Sequence, residues 1–316
     1  MNHLISRILT GWNRFWFEPQ STAPLAVFRI AFGLVATLWT ASLWRDLFIL
    51  FGPDGIMPKP TPMHPGTWGL LFLYPGRPAI TILFVMTFVG AIALTVGFRT
   101  RLAAVVVFLG ILSFNRDNPL VLNSGDDLLR ILALYCALSP AGAALSLDRL
   151  RTNPDRFWES PRRAPWALRL IQIQLSIIYL SAFAHKISGE QWRNGTAVSY
   201  ALRIEDMHRF PTPSFITHSV TITEILTYGT LIVELALGLL IWNRSTRPWV
   251  LGLGVLLHLS IEYSIEVGFF SWTILTAYLA FIPAHTVNRY ALALRGRLRG
   301  RTVSAGGHSL GQLPAR

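Results

Sequence analysis

The chain has 316 residues, of which 52% are hydrophobic and only 14% charged, with a formal net charge of +12. A soluble domain is about 25% charged, so this composition excludes disorder, a coiled coil and an ordinary soluble enzyme. One cysteine, Cys136, leaves no internal disulfide and no cysteine-based metal cluster. A strongly basic chain raises nucleic acid as a partner, but in an apolar one the charge must first be tested as membrane topology.

In chain order, residues 1–19 come first. Leu4, Ile8, Trp12, Phe15 and Trp16 recur at helical spacing, with Arg7 and Arg14 off that stripe. This predicts an amphipathic helix lying on the cytoplasmic face of a membrane. A small-residue cleavage site preceded by a long apolar run, the mark of a cleaved signal, is not found there. Eight segments then approach the roughly 20 apolar residues that a spanning helix needs: 23–44, 78–97, 101–115, 127–141, 166–186, 220–242, 248–264 and 267–284. The third and fourth are short and joined by Asn115–Asp126, so they also read as one broken, re-entrant element. Residues 45–76 form a loop rich in Pro and Gly. Its second half (Trp68, Leu70, Leu71, Phe72) is apolar and expected to pack back onto the membrane. Loops of this length usually carry function. Residues 289–316 read as a basic, disordered tail.

With the N-terminus inside, 18 of the 28 Lys and Arg fall in cytoplasmic segments and 7 in outer ones. The other three, Arg29, Arg130 and Lys186, lie in or beside spans. The asymmetry predicts eight spans in a cell membrane, with both termini cytoplasmic. It accounts for the basic charge through the lipid bilayer as partner, without nucleic acid. The expected fold is therefore an all-α, polytopic membrane bundle of about eight helices over residues 20–288.

Ionisable groups inside spans cost several kcal/mol and are functional candidates by default. Lys186 ends the fifth span. Desolvation there favours a neutral amine that can serve as a general base; the plainer reading is a lysine reaching up to the interface. His258 and Glu262 share a helix face at i,i+4, as a proton relay or as a hydrogen-bonded helix contact. A metal site is not expected, because no second His/Glu element complements them. Asp126 and Arg130, also i,i+4, read as an ion pair at a helix start. Arg29 and Glu234 need partners, with a buried Arg–carboxylate brace as the default.

Four stretches look familiar together: Gln174–Ile187 with Trp192, Gly195 and Tyr200; His258–Trp272; Asn123-Ser-Gly-Asp-Asp-Leu-Leu with Ser139-Pro-Ala-Gly; and Phe28-Arg-Ile-Ala-Phe-Gly with Phe51-Gly-Pro-Asp-Gly. In this order and spacing, from about residue 10 to 288, the chain resembles the horizontally transferred transmembrane (HTTM) family. That family comprises the membrane domain of vitamin K-dependent gamma-carboxylase and bacterial stand-alone proteins such as the sporulation-delaying protein B group. The resemblance implies chemistry in which a membrane lysine deprotonates a reduced quinone, vitamin K hydroquinone. Oxygenation of the quinone then yields a strong base, and CO2 adds to a glutamate carbanion. The second lysine of the carboxylase stretch falls on Lys186, the first on His185, and its later histidine on His258; Trp192 lies one residue further along than in the carboxylase. A histidine of the carboxylase is replaced by Gly125 next to Asp126, and the large lumenal domain has no counterpart here, so propeptide capture is not expected.

Two functions follow. One is a carboxylase-like membrane enzyme with Lys186 as base and His258 and Glu262 orienting or relaying protons. The other is a non-catalytic partner or maturation factor for a small secreted protein or peptide. A transporter is the weaker third, because no continuous charged path or inverted repeat is visible.

Overall fold

The computed structural model describes residues 2–58 and 68–306. The centre of the Pro/Gly loop (59–67) and the last ten residues of the basic tail lie outside them.

Ten helices carry the fold: α1 (Asn2–Phe17), α2 (Ala23–Ser42), α3 (Arg77–Val96), α4 (Thr100–Asp117), α5 (Ser124–Leu138), α6 (Trp166–Ser188), α7 (Val220–Leu239), α8 (Arg247–Ser264), α9 (Phe270–Tyr278) and α10 (Ala284–Gly306). Local chemistry sets many of their ends. Prolines sit in the first turns of α2, α3 and α8, where the missing N–H costs nothing. Gly97 closes α3 in the left-handed region (φ 73°), and the N–H groups of Gly97 and Phe98 return to Leu94 and Ala93. Asn123 starts α5 by a capping box with Asp126.

Among the described residues, four helical stretches are long and apolar enough to cross a membrane: α2, α3, α6 and Val220–Trp242. A fifth arises if the bent pair Phe270–Phe281 and Ala284–Arg297, which turns by 97°, is one span. The expected count of eight is thus not established, although each expected segment coincides with a helix. α4 and α8 have 18 residues and α5 has 15, each with charged side chains at its ends or within it. The third and fourth segments form two helices, α4 and α5, packed side by side. A sharp bend separates α9 from α10. The basic segment from 289, expected to be disordered, continues α10 as far as Gly306.

α9 is the hub of the bundle, packing on α2, α5, α6 and α8. The core around it is built from side chains such as Phe28, Phe32, Leu129, Leu132, Ile171 and Ile274. Large apolar side chains also point outward, among them Ile82, Val89, Ile225, Ile232 and Leu256, as acyl chains permit and water does not. Both ends of the Pro/Gly loop enter the core through Leu47, Phe51 and Leu71. A two-residue antiparallel pairing, β1 (Gln20–Ser21) with β2 (Arg162–Arg163), ties the start of α2 to the start of α6.

The start of α4 is satisfied from a distance. Asp148 accepts hydrogen bonds from the N–H groups of Arg99 and Thr100 and from the Thr100 hydroxyl, at 2.7–2.8 Å. Partial burial pushes this carboxyl up, but those hydrogen bonds outweigh it and hold it below its ordinary value. Its contribution to stability is therefore complete at neutral pH and falls away as pH drops below about 4, towards the folded-state value. Asp148→Asn is expected to destabilise the protein by about 1–3 kcal/mol at neutral pH, seen as a lower melting temperature in detergent. The difference from the parent should shrink in acid.

Candidate functional site

Lys186 lies in the last basic turn of α6, two turns beyond Tyr179 and on the same face. α7 runs beside it. A Cβ at Gly238, one turn beyond Glu234, would come within 2.5 Å of the Leu180 side chain, so glycine lets the two helices approach. The Lys186 ammonium forms a direct ion pair and hydrogen bond with the Glu234 carboxylate. Glu234 is 6% exposed, and the Trp192 ring covers the ammonium at 4.9 Å. Breaking such a pair on one side strands the other charge, which costs more than the pair contributes.

Beside this pair stands a second group. Tyr179 Oη bonds His258 Nε2 at 2.7 Å and also bonds the hydroxyl of Tyr278. All three residues are buried, and α6, α8 and α9 each contribute one. Gly254, one turn before His258, makes the room: a Cβ there would lie 2.3 Å from the Tyr278 hydroxyl oxygen. Lys186 is close enough to act electrostatically on His258, and Glu234 on both tyrosines. No hydrogen bond joins the two groups among the described residues. Within these two groups, two buried atoms have no partner among the described residues, Glu234 Oε2 and His258 Nδ1.

Glu262 belongs elsewhere. One turn along from His258, it pairs with Arg209 at 2.7 Å and accepts from Trp272 Nε1 at 3.0 Å. It lines a cavity of about 350 Å³ with Trp39, Asp126, Arg209 and Glu266, which neither Lys186 nor His258 lines. Arg209 is held there because its loop docks on the end of α8, through a bridge between His208 and Ile265 and a hydrogen bond from Glu266 N–H to Met207 O.

Three expected pairings are corrected. Arg130 pairs with Asp127, at 2.8 Å, and not with Asp126. Asp126 is already engaged, accepting from Trp39 Nε1 at 2.7 Å and from the Asn123 N–H at 3.0 Å. Arg29, fully buried, has no carboxylate partner among the described residues; it donates to the carbonyls of Leu145 and Ala141 at 2.6 and 3.4 Å. Glu234 finds Lys186 in place of an arginine. Among the described residues no group of three or more His, Cys, Asp and Glu is arranged to hold a metal ion.

Tyr179, Tyr278 and Arg209 were missed by sequence reasoning. Only Tyr179 left a usable signal, its two-turn spacing from Lys186. A family model described as HTTM domain matches residues 17–285. No curated protein and no solved structure matches the chain.

Gly254→Ala should force Tyr278 out of the chain and cost about 1–3 kcal/mol through overpacking. Because the crowded atom is the Tyr278 hydroxyl, adding Tyr278→Phe should recover part of that loss. Melting temperatures of the two single variants and the double variant check this; strictly additive losses would contradict the contact.

Proposed function

The chain belongs to the HTTM family and is a multi-pass membrane protein, and we propose that it is an enzyme of the gamma-carboxylase type, using a reduced quinone with the Lys186–Glu234 pair as base. The carrying observation is that pair, set beside the Tyr179–His258–Tyr278 chain inside an apolar bundle. We place the protein in the cell membrane with α1 and both termini cytoplasmic, a reading supported by 18 of the 28 Lys and Arg falling on that side.

When bound, a hydroquinone supplies an acidic phenolic O–H and the electrons for reaction with dioxygen. Two features of this chain suit such a ligand. Glu234 Oε2 and His258 Nδ1 are buried without partners, and buried polar atoms ordinarily have them. A ligand bearing two phenolic O–H groups answers both. Lys186 and Glu234 share one proton. Its transfer from Nζ to the carboxylate gives a neutral amine and a neutral acid. The amine then takes the proton of an acidic O–H, and the pair ends holding one proton more than it began with. The Trp192 face stabilises the resulting ammonium. Glu262, Asp126 and Arg209 line a separate cavity and are not assigned to this step.

The test separates a base from a brace. Lys186→Arg keeps a cation opposite Glu234, but a guanidinium cannot be deprotonated in a protein. Purified parent protein, given vitamin K hydroquinone, dioxygen and CO2, should consume the hydroquinone. Lys186→Arg should lose that activity by about 10²-fold or more while melting close to the parent. Equal consumption by both would overturn Lys186 as base. No consumption by the parent, with biological function preserved in Lys186→Arg, would establish the other reading, a membrane partner for a small secreted protein or peptide.

A further inference from the structure

Far from Lys186, at the opposite end of α6, lies a cavity of about 960 Å³. Arg169 lines it, and the 17 residues from Arg169 to Lys186 span roughly 25 Å of helix. Three other arginines line it as well: Arg162, Arg244 and Arg247. No acidic side chain does, and among the described residues none of the four forms a salt bridge.

Three of these guanidinium groups are held by neutral partners. Arg162 donates to Pro19 O through Nε and Nη2, at 3.0 and 2.7 Å. Arg169 donates to Phe15 O at 3.4 Å and to Gln172 Oε1 at 2.9 Å. Arg247 donates to the carbonyls of Ile241 and Trp242, at 2.9 and 3.1 Å. The positions are fixed while the charges stay uncompensated. Arg169 and Arg247 lie close enough to repel, as do Arg247 and Arg244. The positive-inside tendency accounts for arginines in loops. It does not account for several of them being fastened around one cavity with no counter-charge. A bound anion relieves that repulsion, and anchored guanidinium forks suit phosphate. The rest of the wall is apolar, with Trp242, Leu251 and Phe281. Basic pockets of this kind between membrane helices hold lipid head groups.

We infer that this cavity binds the phosphate headgroup of an anionic phospholipid, with an acyl chain along the Trp242, Leu251 and Phe281 wall. The site is independent of the Lys186 chemistry.

The full-length protein, purified in neutral detergent, is titrated with dioleoyl phosphatidylglycerol, with dioleoyl phosphatidylcholine and with inorganic phosphate. Melting temperature and retained lipid, measured by native mass spectrometry, are the readouts. Phosphatidylglycerol should raise the melting temperature and stay bound; phosphatidylcholine should not. Arg169→Gln and Arg247→Gln should each weaken phosphatidylglycerol binding on the order of tenfold. Because those side chains also hold backbone carbonyls, Arg244→Gln is the cleaner variant: among the described residues Arg244 makes no side-chain hydrogen bond, and the same direction of change is expected. Arg101→Gln, outside the cavity, should bind like the parent. Equal binding by the parent and all three cavity variants overturns the proposal. Stabilisation by inorganic phosphate with no preference between the two lipids overturns the lipid as its source.

Discussion

Hydrocarbon offers no water to a stranded polar group, so each buried charge in this bundle has to find a protein partner. The partners that were found also hold the elements together. Lys186 and Glu234 join α6 to α7. Trp39 and Asp126 join α2 to α5. Arg29 joins α2 to the segment after α5, and Gln172 donates to Ala280 O to join α6 to the end of α9. Arg209 fastens its loop onto α8 through Glu262. Helices in lipid gain little from hydrophobic attraction to one another, and such cross-links, with close packing at small residues, take over its role.

Much of the fold was legible because the same constraint writes long apolar runs into the sequence. The number of crossings was not legible. α4, α5 and α8 are short and bear polar faces, so composition alone does not separate a crossing from a buried packing helix. The rarity of charge pointed to Lys186, Glu234 and His258, but not to who meets whom. Lys186 and Glu234 lie 48 positions apart, and tyrosine is an ordinary membrane residue, so nothing about Tyr278 stood out. Two pairing rules misled for identifiable reasons. Spacing suited Asp126 to Arg130, but helix capping and Trp39 had already claimed that carboxylate, which left Asp127. Arg29 was expected to seek an acid, yet a guanidinium with several donors is served by carbonyls wherever the backbone leaves helical geometry, as it does around Leu145 (φ 46°).

The polar features divide between the two ends of the molecule. Towards the C-terminal end of α6 lies the cation–carboxylate pair, with the hydroxyl–imidazole chain nearer its middle. Around its N-terminal end is an arginine-lined cavity without acids. α6 contributes to each, and α9 packs on α6 and supplies Tyr278 to the hydroxyl–imidazole chain. Phe281, three residues beyond Tyr278, lines the cavity. The 97° turn before α10 follows directly, so the helical stretch that carries Tyr278 stops at the cavity edge.

The row of Tyr278, Tyr179 and His258 has a direction. If Tyr278 donates to Tyr179 and Tyr179 to Nε2, the imidazole hydrogen sits on Nδ1. If Nε2 donates to Tyr179 and Tyr179 to Tyr278, Nδ1 is a bare acceptor. Both orders use the same heavy-atom positions. The buried Nδ1 can therefore turn from donor to acceptor while nothing heavier than hydrogen moves.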